Sequence, residues 1–130
     1  MTVLAPAVPS QSAPSRQVAA TVAGATVVLP CPLWCTHPHN EEYRALPDVS
    51  HHSDELTLSV PVHGGVDSTL VTRISCWPFA DEAATAVPFV SCNPVGDEFA
   101  QLTPEAATAL ADQVIAHGYA MRAVARSISG

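Results

Sequence analysis

Four of the chain's six histidines and two of its four cysteines fall in one stretch, CPLWCTHPHNEEYRALPDVSHH, between Cys31 and His52. Cys31 and Cys35 are separated by three residues, and His39 follows after three more. That spacing lets one tight loop present two sulfurs and an imidazole to a single point, the reach used by structural zinc loops. A fourth ligand must come from His51 or His52. Thiolate and imidazole are borderline-soft donors that suit zinc, and two thiolates cancel the charge of a divalent ion. The spacing of the histidines departs from the common pattern, because His39 and His52 have twelve residues between them and the Cys2His2 pattern uses three to five. NEEYRALPDVSH must therefore form a long loop.

The other residues of the stretch have secondary parts. Leu33 and Trp34 are expected to pack the loop on a sheet and shield the thiolates. His37 is a spare imidazole, expected to be exposed; it could replace His39 only in a cramped loop, one residue from Cys35. The competing reading makes the cysteines small buried hydrophobes and the histidines polar loop residues.

A catalytic zinc keeps a position open for water, whereas four protein ligands close the site. Asp54 and Glu55 follow His52 and could serve as a general base beside an open zinc, but carboxylates so placed are more often solvated. No HExxH, GxSxG, phosphate-loop or dinucleotide glycine pattern occurs. Cys76 and Cys92, with His63 or His117, could in principle make a second site; packing is the expected role of both cysteines, and His117 is expected to be a hydrogen-bonded core histidine.

The elements that must position these residues follow from periodicity. Residues 1–17 are rich in Pro, Ser and Ala and are expected to be a flexible tail. In VAATVAGATVVL, from Val18 to Leu29, Gly24 marks a turn or bulge and Thr26–Leu29 reads as a strand leading into CPLWC. Leu56, Leu58, Val60 and Val62 alternate with Thr57, Ser59 and Pro61, a half-buried strand whose proline suits a sheet edge. HGGVD turns the chain, and 69–77 returns as the second arm of an antiparallel hairpin. A third strand is expected at Val87 to Cys92, paired with 69–77 into a meander, PFADEAAT being the connection. Thr103 as N-cap, Pro104 and Glu105 open a helix over about 103–127. Its stripe of Ala107, Leu110, Val114, His117, Met121 and Ala125 should pack on the sheet, and Gly118 marks either a close contact with a strand or a break.

Composition bounds the function. With 130 residues, 48% hydrophobic, the chain suits one domain, and 18–130 reads as a single unit. The net charge of −7 repels phosphate backbones, and all five basic residues are scattered arginines. A nucleic-acid surface would need Arg44, Arg73 and Arg122 to converge with Tyr43 or Trp77. No apolar run reaches the 18 residues of a membrane span, and the start lacks a signal-peptide pattern, so the expected compartment is the cytoplasm. There, cysteines act as metal ligands or buried thiols more often than as disulfides.

CPLWC, then His39, then His52-Ser53, and finally the helix opening LTPEAA, together resemble an uncharacterised family of small actinobacterial proteins with a CPxWC…H…H-S stretch and a C-terminal LTPEEA-like helix. The resemblance covers roughly 26–125. It implies Cys31, Cys35, His39 and His52 as the ligand set, His52 being chosen over His51 by its following serine. It implies an association with actinobacterial chromosomes, mobile elements or phages, and it supplies no activity.

The expectation is thus an α+β domain: a zinc loop over 31–52, an antiparallel β-meander over about 56–92 and one C-terminal helix on the sheet. Its structural zinc offsets a marginal core. The expected role is a non-enzymatic accessory or protein-interaction module. A small zinc-dependent hydrolase is the alternative, and a nucleic-acid binder comes after it.

Overall fold

The computed structural model describes residues 14–95 and 98–129. Most of the expected tail, residues 1–13, lies outside the described residues. The remainder does not behave as a tail: β1 (Ser15–Val22) starts at Ser15 and pairs antiparallel along its whole length with β2 (Ala25–Pro32). Ser15, Arg16 and Gln17 find their backbone partners in Pro32, Cys31 and Pro30. Ala23 and Gly24 join the strands, both at positive φ (51° and 82°), the geometry that a tight two-residue hairpin demands.

A two-residue strand, β3 (Glu42–Tyr43), adds to β1 in parallel. The core of this first sheet is small: Ala20, Val22, Leu29, Tyr43 and Val49, with Val18, Val27 and Phe79 packed against it. Tyr43 and Val49 both belong to the long loop between the histidines. That loop is therefore pinned at two points to the first sheet.

The second sheet is the expected meander with two additions. The first is β4 (His51–His52), which precedes the hairpin of β5 (Leu56–Val62) and β6 (Gly65–Cys76) and pairs with the far end of β6. Gly64 occupies the hairpin turn at φ 88°. β6 pairs in turn with β7 (Phe89–Val95), and β7 with the second addition, β8 (Glu98–Leu102), a strand that short length and mixed polarity hide in the sequence. The PFADEAAT connection holds a short helix, α1 (Ala83–Ala86). Leu56 lies opposite Thr72 but Leu58 opposite Thr69, so β6 carries an extra residue there, and Leu70 takes up the bulge at φ 54°.

The helix α2 (Pro104–Ile128) is capped as its sequence predicts: the Thr103 hydroxyl accepts from the Ala106 N–H at 3.1 Å. It packs on β7 and β8, its first three turns closing a groove of about 250 Å³ with Leu70, Val90 and Leu102 beneath Leu110 and Val114. The rest of the stripe does not reach the sheet. Twenty-five residues make a helix of about 37 Å, and the seven residues of β7 extend only about 23 Å. His117 and Met121 are consequently exposed instead of buried in a core. The helix runs unbroken through Gly118, where an added Cβ would have no neighbour within 4 Å.

Candidate metal centre

The last residues of β2 and the first of β4 bring the donors together. Cys31 is the penultimate residue of β2, and the turn after it, closed by the Cys35 N–H donating to the Pro32 carbonyl at 3.0 Å, returns Cys35 beside it. The Arg16 guanidinium donates to the Cys35 carbonyl at 2.9 Å and holds the turn from β1. The chain then ties to β4, with the Thr36 and His37 N–H groups both donating to the His52 carbonyl (2.9 and 3.3 Å). His39 follows with its backbone at φ 57°, in the left-handed region that few residues other than glycine occupy.

Donor atoms of Cys31, Cys35, His39 and His51 all lie within 4.8 Å of one another, and all four residues are buried. His39 Nε2 is 3.5 Å from Cys31 Sγ and 3.6 Å from Cys35 Sγ. A tetrahedral zinc with Zn–S near 2.3 Å and Zn–N near 2.05 Å separates sulfur from nitrogen by about 3.6 Å. Both distances therefore fit such an ion. The Nδ1 of His51 is buried with no hydrogen-bond partner, which costs about 1–3 kcal/mol unless something occupies its lone pair. Two thiols and two imidazoles, one of them with an orphaned nitrogen, together make a set that could hold a metal ion.

The fourth residue of this group is His51, where the family resemblance implies His52. His52 turns to the other side of its strand: its Nδ1 is 2.9 Å from the Ser75 hydroxyl and its Nε2 is 3.1 Å from that of Ser50. The register explains the division, for His51 sits opposite Cys76 and His52 opposite Ser75, and adjacent strand residues face opposite ways. Ser53, which singled out His52 in the resemblance, ties the chain to β6 instead. Its N–H donates to the Ile74 carbonyl at 3.0 Å, and its hydroxyl accepts from the Ile74 N–H at 2.8 Å.

Around the four donors the support is aromatic. His39 Nδ1 lies 3.0 Å from the buried Tyr43 hydroxyl; when Nδ1 carries the proton and donates to that oxygen, Nε2 is free as a ligand. Spacing of four residues between His39 and Tyr43 was the only signal in the sequence for this partner. Trp34, expected to shield the thiolates, meets the His51 ring edge-on, with centroids 6.4 Å apart. Leu33 does not, being 56% exposed at the tip of the turn. His37 is half-buried and pairs with Glu41 at 3.4 Å.

Burial sets the protonation of the metal-free centre. It pushes the Cys31 thiol up to about 11, with the hydrogen bond and charge of Cys35 adding to the effect. It lowers His51 to about 4, assisted by the neighbouring imidazoles, and lowers His39 as well. Both imidazoles are therefore neutral near pH 7 with lone pairs available, while Cys31 must lose a proton to bind a cation.

The remaining candidates are engaged elsewhere. Asp54 accepts from the Thr36 hydroxyl at 2.8 Å, and Glu55 pairs with Arg73 at 3.9 Å. Cys76 donates to the Ala86 carbonyl at 3.2 Å, and Cys92 accepts from the Thr72 hydroxyl at 3.7 Å. Among the described residues, neither joins a second group of metal-binding donors. Arg73 lies on β6, Arg44 after β3, and Arg122 over the Tyr119 ring of α2 at 5.6 Å. No helix among the described residues is long and apolar enough to cross a membrane.

Residues 16–129 match the model of a family described as a domain of unknown function, DUF6907. No curated protein and no solved structure matches the chain.

Proposed function

We propose that this chain, which belongs to the DUF6907 family, is a non-enzymatic, zinc-stabilised accessory module that works through contacts with other proteins. The observation that carries the reading is the donor set: Cys31, Cys35, His39 and His51, all buried and mutually within 4.8 Å. Four protein ligands fill a tetrahedral shell and leave no position for a substrate water, which is how a structural zinc differs from a catalytic one. Zinc is favoured over other metals because two thiolates and two imidazoles suit its softness and its preference for four-coordination.

A hydrolase needs an acid or base at the ion. The two acidic candidates are committed to Thr36 and Arg73. Stabilisation is also what this chain needs, since among the described residues the buried core of its first sheet is five side chains. Four free buried cysteines suit a reducing compartment, and we place the protein in the cytoplasm.

Native mass spectrometry of the purified protein tests this reading, with Cys35→Ser alongside. The expected result is one zinc per chain, lost in the variant together with thermal stability. No metal in the wild type and an unchanged melting temperature in Cys35→Ser would overturn it. Zinc bound without any effect on stability, together with metal-dependent hydrolysis, would favour the enzyme instead.

A further inference from the structure

From Ala107 onward, α2 carries a heptad pattern. Ala107, Val114, Met121 and Ile128 fall seven apart, and Leu110, His117 and Val124 follow each of the first three by three residues. These are the a and d positions of a helix-pairing seam. The flanking e and g positions hold Ala111, Gly118, Ala125, Gln113, Ala120 and Ser127, with no charge among them. Asp112, Arg122 and Arg126 all lie outside the seam. Among the described residues only the first part of the seam is used, under the groove on the sheet. The rest is open: Met121 is 58% exposed, Val124 65% and Ile128 84%.

Gly118 gives a second, independent indication. A mid-helix glycine costs about 1 kcal/mol relative to alanine, and here none of the described residues approaches the space its missing side chain leaves. A flank of Ala, Gly and Ser is what allows a second helix to come close.

The sheet beside the helix extends the same surface. Leu56 lies opposite Thr72, which lines the groove beneath α2, so the row Leu56, Leu58, Val60 and Val62 faces the α2 side. Every residue of β5 is exposed. Leu56 and Leu58 are 71% and 51% exposed, and with Val60, Val62 and the open seam residues they leave roughly 700 Å² of mostly apolar side chain in solvent, close to the ~800 Å² each partner gives to a stable pair.

We infer that the occupant of this surface is a second copy of the chain, the open halves of two α2 helices packing on one another across a two-fold axis with the β5 rows at their flanks. A seam that is apolar and uncharged on both flanks is self-complementary, which is the requirement of a two-fold contact. A differently charged partner would find no matching charges along it. His117, the one polar side chain at an a or d position, fixes the register of the pair.

Sedimentation equilibrium on the full zinc-loaded protein tests this, comparing wild type, V124E/I128E and L58E. All substituted side chains are exposed, and circular dichroism and metal content establish that each variant is folded. The wild type is expected near 27 kDa, twice the chain mass of 13.6 kDa, and V124E/I128E is expected at 13.6 kDa. The double variant should raise the dimer dissociation constant at least about 100-fold, and L58E by less. A monomeric wild type at roughly 100 µM would overturn the inference. So would a dimer that survives V124E/I128E, or one that only L58E dissociates.

Discussion

Replacing His51 and His52 separately discriminates between the two candidate ligands, because the two side chains are placed differently. A structural zinc site is worth roughly 10–16 kcal/mol, so one donor of four carries about 3 kcal/mol, and its loss should weaken zinc about 100-fold. In the metal-free protein His51→Ala should cost less than about 1 kcal/mol: lost packing is offset by removing a buried Nδ1 that has no partner. His52 makes the same two hydrogen bonds, to Ser75 and Ser50, whether or not metal is bound. His52→Ala should therefore cost about 2 kcal/mol in both forms, at about 1 kcal/mol per bond, and change zinc affinity less than tenfold. The assay is urea unfolding of each variant with and without zinc, beside a chelator competition. If His52→Ala abolished the zinc dependence while His51→Ala kept it, the assignment of the fourth donor would be wrong.

Tyr43→Phe should keep the ring in the core but lose the contact to His39 Nδ1 at 3.0 Å, weakening zinc about 10–100-fold in the same competition. The metal-free protein should lose stability as pH falls from 6.5 towards 4. His51 and His52 both titrate near 4 when folded and near 6.5 when unfolded, so across that window the unfolded chain binds more protons. Urea midpoints at a series of pH values would read this, and a flat profile would contradict it. Zinc loading near pH 7 should release at least the Cys31 proton, measurable by calorimetry in buffers of different ionisation heat. Ala23→Asn, at a turn position with φ 51°, should raise stability by about 0.5–1 kcal/mol, read as a shift in urea midpoint.

Some elements are legible in the sequence because their signals are local. The alternation from Leu56 to Val62 and the Thr103–Pro104–Glu105 start of α2 need no knowledge of the rest of the chain, and both elements are found, although β5 is exposed along its whole length where its pattern predicts a half-buried strand. The grouping of Cys31, Cys35 and His39 is legible for the same reason, since one turn delivers all three. The choice between His51 and His52 is not. It is a question of strand parity, settled by which β6 residue each one faces across the sheet. The long interval after His39 looks like an irregularity of the motif. It is the length of chain needed for Tyr43 to join β1 and Val49 to enter the core before the strand carrying His51 begins. The stripe on α2 shows that one face is apolar but not what covers it, and within this chain the sheet reaches only its first half.

Two of the four donors, Cys31 and Cys35, come from the end of the first sheet, and His51 comes from the second. An ion bound there would close a cross-link between the two sheets, and so would govern the cooperativity of unfolding. Loaded protein should melt in one transition, with amides of both sheets protected to the same free energy against hydrogen exchange. Stripped of metal, the β1–β2 hairpin and the meander should open at separate energies, each with its own exchange rate.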